Sequence, residues 1–355
     1  MLKTVIEQYG LTSVLEVETL KGGLINSTWK IVCSDRSYIL QRVNNYVFNS
    51  PHDIANNIKN IGDYLKLHHP QYLFVPLVPT LGGEEQLHIL ELGHYRLFPF
   101  VEGSVTYSVL ESSQLAYEAA VQFGRFTKLL AQFPTQKLHI TLPGFHNLRL
   151  RYTQFESALI NGNRNRLKEA EKMIEGIKKQ QQIVTQYDEL IKHPSFKTRV
   201  MHHDTKINNV LFDANQQGLC VIDLDTVMPG YFISDVGDMM RTYLSPVSEE
   251  ETDITKIEIR EDFFLAIVAG YLSEMKQELS KEEIDSFVYA GKFIIYMQAI
   301  RFLTDYLLDD IYYGEQYPSH NLVRAGNQLA LLEKLIEKEP VLEQKIKNFV
   351  DGSMD

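Results

Sequence analysis

The sequence predicts an α+β chain in two lobes, a small antiparallel β lobe carrying one helix followed by a larger, mainly helical lobe. Three observations lead there. The chain has 355 residues, more than one hydrophobic core usually spans. Roughly its first hundred residues are short β-branched and aromatic runs between turn signals. Beyond them, apolar residues recur at helical spacing.

In chain order, the strand-like runs are SVLEVETL, STWKIVC, RSYILQRV, YLFVPLV, LHILEL and HYRLFPFV. Gly22-Gly23, CSDRS and Gly82-Gly83 supply turn signals between some of them. One helix interrupts the set, SPHDIANNIKNIGDYLKL, with Ser50 as N-cap and Pro51 at the first helical position. Its residues Ile54, Ile58, Ile61 and Leu65 share one face. After Phe98-Pro99-Phe100 the polar stretch VEGSVTYS reads as a hinge, so the expected division is 1–100 for the β lobe, 101–104 for the hinge and 105–355 for the helical lobe. VLESSQLAYEAAVQFGRFTKLLAQF has helical periodicity, and NRLKEAEKMIEGIKKQQQIVTQYDELI reads as one charged amphipathic helix with a solvated face. A hairpin then interrupts the helices, which resume from about Lys256.

Composition narrows the function classes. Hydrophobic residues make up 44% and charged residues 23%, ordinary for a globular protein. A net charge of -11 argues against nucleic acid or an anionic membrane as partner, while a small anionic ligand with a cation is still compatible. Cys33 and Cys220 lie in apolar runs without metal-ligand neighbours and read as reduced, buried thiols. The acidic N-terminal stretch does not resemble a signal peptide. The longest apolar run, Phe263 to Leu272, is shorter than the roughly 20 residues of a membrane span. A cytoplasmic monomer is the expectation.

The densest chemistry lies in MHHDTKINNVLFDANQQGLCVIDLDTVMPG, from Met201 to Gly230. NNVLF and LCVIDL are apolar runs joined by the turn-rich DANQQG. Pairing them about Gln216 predicts that Asn209 and Asp223 oppose each other across the ladder, about 5 Å apart at Cβ. Both carry hard oxygen donors suited to Mg²⁺ completed by substrate phosphates and water. Asp204 precedes Asn209 by five residues, and His202-x-Asp204-x-x-x-x-Asn209 matches the kinase catalytic loop in spacing and residue type. There the aspartate accepts a proton from the attacking hydroxyl and the asparagine holds a metal. His202 reads as a histidine bracing the loop, and His203 as a residue facing the substrate.

HHDTKINNVLFD, VIDLDTVMPG and SDVGDMMR together resemble the aminoglycoside phosphotransferase and choline kinase group of the protein-kinase-like fold. KGGLINSTW, YILQRVN, VEGSVTYS and RFLTDYLLDDIYYGEQYPSHNLVR are similar, more narrowly, to N-acetylhexosamine 1-kinases. The resemblance spans about Leu20 to Leu335. It implies ATP as co-substrate, Mg²⁺ as cofactor, Asp204 as general base, and Asn209 and Asp223 as metal ligands. Asp225 falls to a second metal or to the sugar hydroxyls, and Asp235 and Asp238 to a structural role tying the catalytic loop. KGGLINST stands in place of the phosphate loop, with Gly23, Ser27 and Thr28 toward phosphate. Gln41 occupies the usual lysine position of YILQRV, so the phosphate anchor departs from the pattern. Arg42 points to the opposite face unless a bulge turns it inward. The helix after this strand also lacks the glutamate partner. In YRLFPFVEG, Phe98, Phe100 or Val101 supplies any backbone donor to adenine, since Pro99 has no N–H.

The implied acceptor is the anomeric hydroxyl of N-acetylglucosamine or N-acetylgalactosamine. Tyr107, Arg301, Tyr317 and Arg324, with Tyr312, Tyr313 and His320 nearby in sequence, offer planar polar and aromatic groups for a sugar. Two alternatives stay open: a kinase for choline, ethanolamine, homoserine, a methylthio-sugar or an aminoglycoside, and a nucleotide-binding pseudokinase. A sulfatase lacks its nucleophile motif here, and no Gly-x-x-x-x-Gly-Lys-Ser/Thr loop occurs.

Overall fold

The structure, a computed structural model, describes residues 2–20 and 26–352. In chain order the elements are α1 (Leu2–Gln8), β1 (Val14–Leu20), β2 (Ser27–Cys33), β3 (Ser37–Arg42), α2 (Pro51–His68), β4 (Leu87–Ile89) and β5 (Gly93–Pro99). Next come α3 (Ser113–Leu129), α4 (Leu148–Asn161), α5 (Arg164–Glu169), α6 (Glu171–Lys179) and α7 (Gln182–Leu190). Short strands β6 (Arg199–Met201), β7 (Val210–Phe212), β8 (Gly218–Val221) and β9 (Met228–Gly230) follow. The chain closes with α8 (Phe232–Tyr243), α9 (Glu261–Met275), α10 (Lys281–Asp285), α11 (Phe287–Leu307) and α12 (His320–Val350).

Two compact units result. The first gathers Met1–Thr106, Leu129–Pro143 and Asn209–Pro229; the second gathers Tyr107–Lys128, Gly144–Asn208 and Gly230–Asp355. The small-β, large-helical division is as expected, but the units are discontinuous. The hairpin, assigned by sequence to the helical lobe, belongs to the first unit. Past the expected hinge, Val105 still exchanges backbone hydrogen bonds with Phe212, at 2.8 and 2.9 Å.

In the first unit, five antiparallel strands run in the order β1-β2-β3-β5-β4. Trp29 pairs with Leu40 and Leu40 with Leu97, so these side chains share one face. That face packs with Ile31 and Tyr95 against Val5, Ile6 and Tyr9 at the N-terminus. The short helix α1 was not foreseen; its burial rests on only Val5 and Ile6, too few to show a period. The other face carries Thr28, Gln41 and Arg96, which are register partners in turn. α2 begins at Pro51, and Ile54, Ile58, Ile61 and Leu65 are buried. YLFVPLV is not a strand. Pro76 has no N–H to donate, and only Val78 makes a bridge, to Leu97.

In the second unit, α11 is buried nearly all round and packs against α8, α12 and α4, as expected of a helix at a core centre. Gly237 of α8 allows a close approach to α11: a Cβ there would lie 2.2 Å from the Ala290 carbonyl. The single helix expected over 165–191 is three helices, α5, α6 and α7. Ala170, with φ -89° and ψ 5°, caps both α5 and α6 and turns the chain between them. The inward residues Ile174, Ile177, Ile183, Val184 and Tyr187 are buried as their spacing implies.

Candidate active site

In the second unit the segment between β6 and the turn at Ile207–Asn209 carries Asp204. Its shape is fixed by α8. Asp235 accepts the backbone N–H of His202 at 3.0 Å on one oxygen and that of His203 at 2.7 Å on the other. Asp238 accepts the Thr205 N–H at 2.8 Å and the Arg241 Nε–H at 3.0 Å. The Tyr243 hydroxyl donates to the Thr205 carbonyl at 2.7 Å. This clasp holds His203 at φ 66°, in the left-handed region, a conformation non-glycine residues adopt at a cost. The His202 ring is fully buried, edge-on to Phe123 at 5.1 Å. The His203 ring meets His146, with Nδ1 atoms 3.3 Å apart. Burial, then His203 and Arg301, hold His146 well below the usual histidine range.

Lys206, two residues past Asp204, sets its Nζ 2.8 Å from the Asp204 carboxylate. Burial pushes the Asp204 carboxyl up. The Lys206 ammonium, with His202 and Arg241, more than offsets this and holds it below the usual carboxylate range. Burial pushes Lys206 down, while Asp204 and Asp238 raise it above the usual lysine range. Asp235 goes the other way: burial raises it to about 7, against the hydrogen bonds from His202 and His203.

The first unit holds the proposed metal ligands. β7 and β8 pair as Val210 with Val221 and Leu211 with Cys220, then shift register at Phe212 and Gly218. The Ile222 N–H donates to the Asn209 carbonyl at 2.9 Å, so Asn209 faces Ile222, one residue short of the expected partner Asp223. The offset begins at the turn: Phe212 lies opposite Gly218 and the Asp213 N–H donates to the Gln217 carbonyl, so the turn is centred on Asn215 and not on Gln216, and the register shift recovers only part of the difference. Asp223 itself lies at φ 60° and ψ 64°, outside the strand pleat, so simple alternation does not set its side chain. Asn209 is 3% exposed.

Asp225 is buried and already engaged. One oxygen pairs with Arg96, the other accepts from Asn26 Nδ2 at 2.8 Å, and its carbonyl accepts from Thr141 Oγ1 at 2.8 Å. Arg96 also donates from Nε at 3.0 Å and from a terminal nitrogen at 2.8 Å to Gln41 Oε1. A cation thus stands on β5, next to Gln41 in the register, paired with a carboxylate beyond β8.

Among the other expected nucleotide residues, Gly23 lies outside the described residues. Thr28 shares a face with Gln41, and its Oγ1 sits 3.4 Å from Gln41 Nε2. Ser27 pairs with Arg42 on the opposite face. β3 runs against β2 and β5 without a bulge, so Arg42 stays there with Leu40 and is not turned inward. The Phe100 N–H donates to the Ser37 carbonyl at 3.0 Å and is not spare for a ligand. Phe98 lies on the Gln41 face, 5.3 Å from the Arg96 guanidinium. The Val101 carbonyl accepts from the Ser104 N–H at 3.2 Å.

In the second unit, Arg301 lies near Tyr313 at 5.3 Å, Phe145 at 5.6 Å and Tyr312 at 5.8 Å. Asp305 shapes this wall by accepting the Tyr312 and Tyr313 N–H groups at 2.8 and 2.9 Å. Arg324 stacks on Phe302 at 3.7 Å and pairs with Glu249, which Arg241 also reaches at 2.7 Å. Tyr317 packs on His320, 4.7 Å between rings. Tyr107 is half-buried in the same unit. Sequence reasoning missed Lys206 and Arg96. The signal for Lys206 was its place two residues after Asp204; Arg96 could be found only through the strand register.

A five-stranded sheet, a helical unit and a clasped His-x-Asp loop leading to Asn209 define a class of protein, the phosphoryl-transferring enzymes of kinase-like fold. A sequence profile of the phosphotransferase enzyme family matches residues 16–274. The chain belongs to that family and is a small-molecule phosphotransferase in its broad class. Solved structures of similar fold include an aminoglycoside phosphotransferase from Alicyclobacillus acidocaldarius, at 13% identity and TM-score 0.63 over 98% of this chain and 96% of that one. A microcompartment-associated aminopropanol kinase aligns at 15% identity and TM-score 0.61, over 98% of this chain and 100% of that one. An ethanolamine kinase from Plasmodium vivax aligns at 13% identity and TM-score 0.56, over 92% and 86%. Among the described residues no helix is long and apolar enough to cross a membrane.

Proposed function

We propose that the protein transfers the γ-phosphoryl group of ATP to the anomeric hydroxyl of N-acetylhexosamines, N-acetylglucosamine or N-acetylgalactosamine. The observation that carries the phosphoryl-transfer chemistry is the Asp204 loop, clasped by Asp235 and Asp238 and paired with Lys206. Asp204 orients the acceptor hydroxyl and takes its proton as the phosphorus–oxygen bond forms. A carboxylate held below the usual range stays ionised at neutral pH and acts chiefly by positioning, which suits a loose phosphoryl-transfer transition state. Asn209 and Asp223 are the hard-oxygen pair for Mg²⁺, which when bound neutralises charge on the phosphates. Asp225 is balanced by Arg96 and Asn26, and we assign it to holding Arg96 in preference to metal or sugar.

The amino-sugar choice rests on the resemblance of KGGLINSTW, YILQRVN, VEGSVTYS and the late stretch to N-acetylhexosamine 1-kinases, and the tyrosines and arginines from Arg301 to Arg324 add flat faces and forked donors. The test is ADP release from Mg-ATP over a panel: N-acetylglucosamine, N-acetylgalactosamine, choline, ethanolamine, aminopropanol, homoserine and an aminoglycoside. Turnover should be highest on the N-acetylhexosamines and vanish with a chelator until Mg²⁺ is restored. Faster turnover on an amino alcohol or antibiotic replaces the acceptor. Nucleotide binding without turnover on any of them makes the chain a pseudokinase.

A further inference from the structure

The sheet of the first unit answers a question left by the glutamine at the lysine position. Gln41 is held by Arg96 through two donors to one atom, its Oε1, at 3.0 and 2.8 Å. An amide whose oxygen is taken in this way has its nitrogen turned to the other side. That nitrogen, Nε2, lies 3.4 Å from the Thr28 hydroxyl, on the sheet face that also carries Phe98. Arg96 is 2% exposed, and Asp225 balances its charge. The arginine is therefore behind the glutamine, and the glutamine is half-buried in front of it.

We propose that Arg96 acts through Gln41. The guanidinium withdraws density from the amide oxygen, and Gln41 Nε2–H is the polarised donor offered to the nucleotide's phosphate oxygens. Hydrogen bonds in series strengthen one another in a low-dielectric setting, so a neutral side chain carries part of the effect of a cation behind it. Thr28 Oγ1 is the second donor on the same face. Arg96 is a positioning residue in this scheme, and Asp225 and Asn26 fix it. The inference rests on the kinase assignment above.

The test uses the full chain, Mg-ADP titration calorimetry and thermal melting. Gln41→Glu keeps an acceptor for Arg96, and a carboxylate suits the arginine fork better than an amide does. It also removes the donor. The expected result is a Tm no lower than wild type with the Mg-ADP Kd raised at least about tenfold. The double variant Gln41→Lys with Arg96→Met places the cation on β3, where Asp225 can pair with it. Its Kd should return to within about threefold of wild type, a recovery that a purely structural role for Arg96 does not produce. If Gln41→Glu binds Mg-ADP like wild type, or the double variant binds no better than Gln41→Glu, the relay is wrong while the kinase assignment stands. No Mg-ADP binding by the wild-type chain overturns both.

Discussion

Asp204 sits in a contest between burial, which favours its neutral form, and the Lys206 ammonium at 2.8 Å, which favours the charged one. Asp204→Asn keeps the shape and removes the charge. It should lower kcat at least about 100-fold while the acceptor KM changes much less, as steady-state kinetics will report. Lys206→Met separates the two influences. With the folded-state value held low, the ionised carboxylate persists as pH falls through the usual carboxylate range. Without the ammonium, burial dominates and the value rises. The acidic limb of the kcat/KM profile should therefore move to higher pH in Lys206→Met, and an unmoved limb removes Asp204 as its origin. At this scale the sequence singled out Asp204 and Asn209 by spacing and Asp235 and Asp238 by resemblance, and the last two do bond the backbone of the Asp204 loop. Arg96 was not singled out, because an arginine in a strand is uninformative until the register sets it beside Gln41.

At the scale of elements, α8 works as a clamp on the loop before β7. Asp235→Ala leaves the His202 and His203 N–H groups without their acceptor in a buried site. The expected loss is about 2–4 kcal/mol of unfolding free energy, measured by urea titration. The pH dependence has a definite sign. Burial raises the folded-state Asp235 value to about 7, so the folded form keeps a proton that the unfolded chain has already released. Its contribution to stability therefore falls as pH rises from about 4 to about 7 and is flat above that, and Asp235→Asn should flatten this slope. α10 offers a second case. Glu283 caps it in a capping box and takes both terminal nitrogens of buried Arg199, at 2.6 and 3.0 Å. Glu283→Ala strands that charge and should cost about 3–5 kcal/mol. Helices with a strong period, such as α2, were legible in sequence. The hairpin register was not, because the turn is centred on Asn215, one residue before the expected Gln216, and a left-handed Asp223 breaks the alternation on which the expectation relied.

At the scale of the molecule, nucleotide binding should stabilise the fold by mass action. Mg-ADP at 100 times its Kd adds about 2.7 kcal/mol, visible as a rise in Tm that a chelator reverses. The broad α+β division was readable because burial patterns change from period two to helical spacing near residue 100. The interleaving of the units was not, since no local pattern says that 129–143 and 209–229 join the first hundred residues. During translation this order has a cost. The β-rich N-terminal portion leaves the ribosome early, yet it waits for residues up to 229 before its last strands and loops arrive. Until then Arg96 lacks Asp225, and Asn57 lacks the His139 and Val227 carbonyls that accept from it in the finished unit, and an incompletely packed nascent unit is open to chaperones and to other nascent chains. A fragment ending at Thr106 should accordingly aggregate or bind chaperones when expressed alone, whereas a chain that reaches Pro229 contains every segment of the first unit.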